Sequence, residues 1–149
     1  MSLTIRKNVL IALGAPALFA LGAASATALA PSVSVVPLFE ATKTVVGEPI
    51  AYPVGAPAKI TAAIVNLSPG AATGWHKHGI PVIGMIMEGE LTVDYGPQGK
   101  RTFKPGDAFP EAINETHQGT NTGAVMTKLL AIYLGAEGLP NSIAEKAPE

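Results

Sequence analysis

Three histidines carry most of the chemistry this chain can offer: His76, His78 and His117 are the only ones in its 149 residues. The first two stand one residue apart in Trp75-His76-Lys77-His78. In an extended strand alternate side chains share a face, so both imidazoles would point one way, and Trp75 and Lys77 the other. Neutral imidazole is the commonest metal ligand, and two on one face make half of a metal site. Among the carboxylates, Glu111 is the candidate to work beside them, six residues before His117. It could ligate, orient a ligand histidine, or act as a general base. A solvated loop carboxylate is the plain alternative. Glu115 is nearer His117 but reads as exposed, and Glu88 and Glu90 flank a turn as solvated groups.

The elements that must position these residues read as strands. Ile60–Leu67 is rich in β-branched residues and free of breakers, and Ser68-Pro69-Gly70 turns the chain. Val82–Met87 is apolar on both parities, as a buried strand is. Glu88-Gly89-Glu90 reverses it into the alternating Leu91–Tyr95, which predicts a hairpin. Arg101–Phe103, Ala108–Phe109 and Thr116–Asn121 are short pieces between turns, and Val125–Leu134 is a long apolar strand. No helical periodicity of ten or more residues appears after the N-terminal segment. Short strands with turn signals every ten residues or so predict an all-β sandwich or barrel. Residues 31–59 carry many Pro and Gly punctuators and read as a lead-in with one or two edge strands, since Pro cannot donate to a ladder. Residues 60–134 form the barrel core. Residues 135–149 are a polar tail in which 143–146 is expected as a short helix.

The first thirty residues have a different composition. Arg6 and Lys7 precede an apolar run from Val9 to Leu21, and small residues lead to Ala28-Leu29-Ala30 before Pro31. That order matches a secretory signal peptide, an N-terminal signal helix cleaved after Ala30. An uncleaved anchor is the alternative, because about 20 apolar residues span a bilayer. The protein is therefore expected to be periplasmic or secreted, with no membrane partner after cleavage. Loss of Arg6 and Lys7 leaves eight basic against eleven acidic residues, a formal charge of −3. No basic patch remains, which argues against nucleic acid as a partner. With no cysteine, the fold must stand on its core.

The spacing of these residues resembles the two motifs of the cupin family, in its small single-domain, conserved-barrel form. The first motif is Gly, His-x-His, three or four residues, Glu, six residues, Gly. Here Gly70 and Gly74 lead in, His76 and His78 fill the histidine positions, and Gly89 closes it. The second is Gly, five residues, Pro-x-Gly, two residues, His, three residues, Asn. Gly106, His117 and Asn121 match in register, with Ala112 at the Pro position and Asn114 at the second Gly position. Asn is the next residue to tolerate positive φ, so that exchange is expected to be mild. The turns at Met87–Leu91 and Pro105–Phe109 are similar to those of small cupins.

The resemblance covers residues 60–133 and implies a double-stranded β-helix, or jelly-roll barrel. It implies a divalent metal inside, held by His76, His78 and His117, and often a homodimer. One position departs: the motif's metal-binding Glu is replaced by Val82, which cannot ligate. Three histidines with an open position suit catalytic Zn, and Fe, Mn, Ni or Cu remain equally open. Two functions follow for such an exported cupin. One is a small-molecule oxygenase (a dioxygenase among them) or isomerase with Glu111 moving protons. The other is a non-catalytic barrel binding a metal or a small apolar ligand.

Overall fold

The computed structural model describes residues 33–149. The proposed signal segment, 1–30, lies outside them. Nine strands run in chain order: β1 (Ala58–Leu67), β2 (His76–Lys77), β3 (Val82–Glu88), β4 (Leu91–Asp94), β5 (Lys100–Phe103), β6 (Ala108–Pro110), β7 (Gln118–Thr120), β8 (Thr127–Ala136) and β9 (Ile143–Ala144). The described residues contain no α-helix. All pairings are antiparallel. One sheet has the order β1-β8-β3-β6, a second β5-β4-β7, and β2 pairs with β9.

The inward faces follow from register. On the larger sheet Val65 lies opposite Leu129, Ala131 opposite Gly84 and Tyr133 opposite Val82, so these side chains share one face. The other sheet answers with Leu91, Val93 and Tyr95, and the two layers meet in a core that includes Leu67, Ile86, Phe109 and Ala112. Phe103 and Phe109 stack with centroids 3.7 Å apart. That stack depends on Gly84, because a Cβ there would sit 2.6 Å from the Phe109 ring. Gly89 closes the β3–β4 hairpin at φ 74°, where a Cβ would meet the Met126 carbonyl at 2.6 Å.

Val82–Met87 is apolar on both parities because β3 is a central strand. Its outward residues Ile83 and Met85 lie opposite Ile132 and Leu130, which in turn lie opposite Ala62 and Ile64. The outer face of the larger sheet is thus apolar as well.

Three expectations change. The lead-in forms no strand over residues 33–57, only a single bridge between Lys43 and Pro49. Pro at 37, 49, 53 and 57 removes too many donors for a ladder. The tail forms no helix at 143–146: β9 pairs His76 with Ala144 and Lys77 with Ile143. Tertiary pairing there outweighs local propensity, aided by a 2.7 Å ion pair between Lys77 and Glu145. Asn114 does not take positive φ, since no non-glycine residue among those described does. Its N–H instead donates to Glu48 Oε1 at 2.8 Å.

Candidate metal centre

The three histidines converge, although only His76 of the first pair lies within a regular strand. His76 and His117 form an isolated antiparallel bridge and exchange both backbone hydrogen bonds, at 2.9 and 2.8 Å. That close pairing sets their rings 4.5 Å apart between centroids. His78 lies just beyond β2, where its N–H and that of Gly79 both donate to the Ile113 carbonyl. Its ring sits 5.0 Å from His76 and 5.1 Å from His117. One nitrogen from each ring falls within 4.8 Å of the other two.

The second nitrogen of every ring is already engaged. His76 Nδ1 meets the Gly74 carbonyl at 2.9 Å, His78 Nδ1 the Asn141 carbonyl at 2.8 Å, and His117 Nδ1 the Glu115 carbonyl at 2.8 Å. A carbonyl only accepts, so each Nδ1 carries the proton and each Nε2 keeps a free lone pair. His117 Nε2 is the one buried side-chain polar atom without a hydrogen-bond partner among the described residues. Burial holds all three imidazoles below their ordinary pKa, His78 down to about 3, with the carbonyl contacts opposing in part. The cluster is therefore neutral at physiological pH, as metal ligation requires. An orphaned lone pair among neutral, oriented imidazoles fits a divalent cation.

Glu111 is buried on the wall of the same cavity but outside the three-nitrogen cluster. Its N–H donates to the Val82 carbonyl at 2.8 Å. The carboxylate thus stands one strand across from Val82, whose own side chain is buried and lines the cavity. Tyr95 Oη donates to Glu111 Oε1 at 2.7 Å, and the Ala112 N–H donates to the same oxygen at 2.8 Å. Burial pushes the Glu111 carboxyl up to about 7, against the pull of those two donors. Burial and the facing Glu111 push the Tyr95 phenol upward too.

Two supports carried no signal in the sequence. Glu48, from the lead-in, accepts from the Ile113 and Asn114 N–H groups at 2.7 and 2.8 Å and so pins the loop after Glu111. Asn141 and Ser142, from the tail, meet His78 Nδ1 at 2.8 and 3.4 Å. Asn121 has a structural role: its Nδ2 donates to the Leu67 and Val125 carbonyls, and its Oδ1 accepts from Gly123.

Residues 63–133 match the family described as Cupin domain (Cupin_2), and that segment is a cupin domain. An oxalate oxidase structure is similar at 24% identity and a TM-score of 0.50, over 57% of this chain and 45% of its own. A protein with a double-stranded β-helix domain from Klebsiella pneumoniae is similar at 18% identity and a TM-score of 0.52, over 62% and 76%. A sugar phosphate isomerase of the cupin superfamily from Silicibacter pomeroyi is similar at 30% identity and a TM-score of 0.43, over 50% of each chain. The first two likenesses are of fold, and this chain spans less than half of the oxalate oxidase. No curated protein sequence matches the chain.

Proposed function

We propose that the barrel holds a divalent metal through Nε2 of His76, His78 and His117 and acts on a small molecule as an oxygenase or isomerase. The observation that carries this reading is the buried, unpartnered His117 Nε2 beside two imidazoles whose Nδ1 protons are already committed. When bound, the metal supplies Lewis acidity or redox capacity at a position no fourth protein ligand fills. The chain's own residues do the rest. Leu91, Val93, Phe109 and Leu129 make the wall facing the histidines apolar. Glu111 is the group placed to take or return a proton: burial raises its carboxyl to about 7 in the metal-free protein, and a cation held by the histidines would lower it from there. Tyr95 holds Oε1, which leaves Oε2 without a hydrogen bond among the described residues.

Elemental analysis of purified protein alongside His117→Ala tests the site. The expected result is about one equivalent of metal in the wild type and loss of it in the variant without unfolding. Unchanged metal content in the variant would break the three-histidine reading. Metal and ligand retention with no turnover across loaded metals would favour the binding-barrel alternative.

Export and dimerisation belong to the same reading. The basic, apolar and small-residue order of residues 1–30 supports a periplasmic or secreted protein; a cytoplasmic mature chain beginning at residue 1 would refute it. The apolar outer face at Ile60, Ile64, Leu130 and Ile132 supports a homodimer. Ile64→Glu is expected to give a monomer by sedimentation, and an unchanged sedimentation coefficient would oppose that face.

A further inference from the structure

His78 has no ladder to hold its backbone. β2 ends at Lys77, and the His78 and Gly79 N–H groups both donate instead to the Ile113 carbonyl, each at 3.0 Å. That carbonyl belongs to the peptide unit between Ile113 and Asn114. The N–H of the same unit, on Asn114, donates to Glu48 Oε1 at 2.8 Å. The Ile113 N–H donates to Glu48 Oε2 at 2.7 Å, so one carboxylate grips two successive N–H groups. Just beyond, the Glu115 carbonyl accepts the Nδ1 proton of His117 at 2.8 Å. The segment 113–115 therefore holds the backbone of one histidine and the ring of another.

Glu48 is itself fixed. The buried Thr44 donates from Oγ1 to Oε2 at 3.3 Å and accepts from the Glu48 N–H at 3.1 Å. Hydrogen bonds to a charged acceptor are stronger than neutral ones, and they polarise the peptide between. The charge on Glu48 thus strengthens the carbonyl on which His78 hangs. Glu48 lies outside residues 63–133, the segment that matches the family.

We propose that Glu48 is a positioning residue for His78 and His117, acting through the segment 113–115, an assignment that rests on the metal reading above. A carboxylate from the lead-in then sets the affinity of a site it does not enter.

The test uses the full protein and Zn²⁺. Glu48→Gln keeps the side-chain shape but turns one acceptor into an amide donor that faces an N–H. In chelator competition it is expected to bind Zn²⁺ about 10- to 100-fold more weakly than the wild type. Ile86→Val, a core change away from the cavity, should lower the melting temperature and leave Zn²⁺ affinity unchanged. At saturating Zn²⁺, the imidazole nitrogen resonances of His78 and His117 should move in Glu48→Gln more than those of His76, whose ring rests on Gly74. Glu48→Asp keeps both oxygens one methylene short; it too should lose affinity, and it decides the matter where the glutamine variant does not fold. Wild-type affinity in the folded Glu48 variant overturns the proposal alone, as does an equal loss in Ile86→Val or an equal shift at all three histidines. Failure of the wild type to bind Zn²⁺ overturns the metal reading, and the positioning role with it.

Discussion

Replacing Glu111 by Gln in the metal-free protein should make it more stable at alkaline pH and leave it nearly unchanged in acid. The isostere keeps a carbonyl oxygen for Tyr95 Oη and the Ala112 N–H, and puts an amide where Oε2 stands. What it removes is the titration. Burial raises the folded-state value from an ordinary 4.5 to about 7. A raised folded value means that the group's contribution is fully present below about 4.5 and is lost as pH climbs through about 7. At about 1.4 kcal/mol per pH unit, the ionised wild-type carboxylate costs about 3 kcal/mol at pH 8.5, and less than about 1 kcal/mol at pH 5. The buried histidines titrate the opposite way, losing stability as pH falls below about 6.5; His78 and His117 are common to both proteins and cancel in the difference, while His76, which feels the Glu111 charge, is neutral at pH 8.5 and contributes little there. Thermal melts with a chelator at the two pH values read the difference directly. At roughly 4 °C per kcal/mol for a domain of this size, the variant should melt about 10 °C higher at pH 8.5. Equal melting temperatures at pH 8.5, or a variant that is the less stable there, would refute the claim that Glu111 is a strained buried carboxylate.

Three further outcomes follow from the same geometry. Val82→Glu places a carboxylate on the wall that Val82 now lines; it should tighten metal binding about tenfold or more in a chelator competition. Ending the chain after Pro140 removes the Asn141 carbonyl from His78 and the β9 pairing from His76. Metal affinity should drop about 10- to 100-fold with the circular dichroism of the sheets retained, and unchanged affinity would show that the tail does not orient the ligands. Asn121→Ala strands two carbonyls and one N–H. A loss of about 3 kcal/mol in urea unfolding is expected, and a loss below about 1 kcal/mol would deny Asn121 its tying role.

What the sequence made legible was local or fixed by spacing. The β3–β4 hairpin follows from Glu88-Gly89-Glu90 between alternating runs, and the structure shows why only Gly fits at 89. The three histidines were readable because motif spacing fixes where a barrel returns them. Their convergence rests on the His76–His117 bridge, which joins segments about forty residues apart, and on the His78 N–H bond to the Ile113 carbonyl. What was not legible depends on pairing across the whole chain. Glu48 reaches Ile113 over 65 residues, and nothing in the lead-in's Pro-rich composition marks that carboxylate for the site loop. The tail read as polar and helical because two-residue β9 has almost no propensity of its own. It is a strand because β2 offers an unpaired edge beside His76 and Lys77. Asn114 misled for a related reason. Its place in the motif suggested a backbone requirement, yet the position is held by a hydrogen bond from a segment the motif does not include.

The substitution at Val82 acquires a physical meaning from the β3–β6 pairing. A motif read along one strand registers the loss of a carboxylate. The sheet shows a carboxylate one strand away, tied by the Glu111 N–H to the Val82 carbonyl. The two positions are not equivalent. A Glu at 82 would project from the wall directly, whereas Glu111 has one oxygen held by Tyr95 and by the Ala112 N–H and stands outside the nitrogen cluster. Glu111 therefore lines the cavity beside the cluster rather than entering it. In the metal-free protein burial raises its pKa to about 7, and a cation in the cluster would lower it. The three histidines are left without a carboxylate among them, and the cavity keeps a buried acid on its wall. That pairing of features gives the oxygenase or isomerase reading its physical basis.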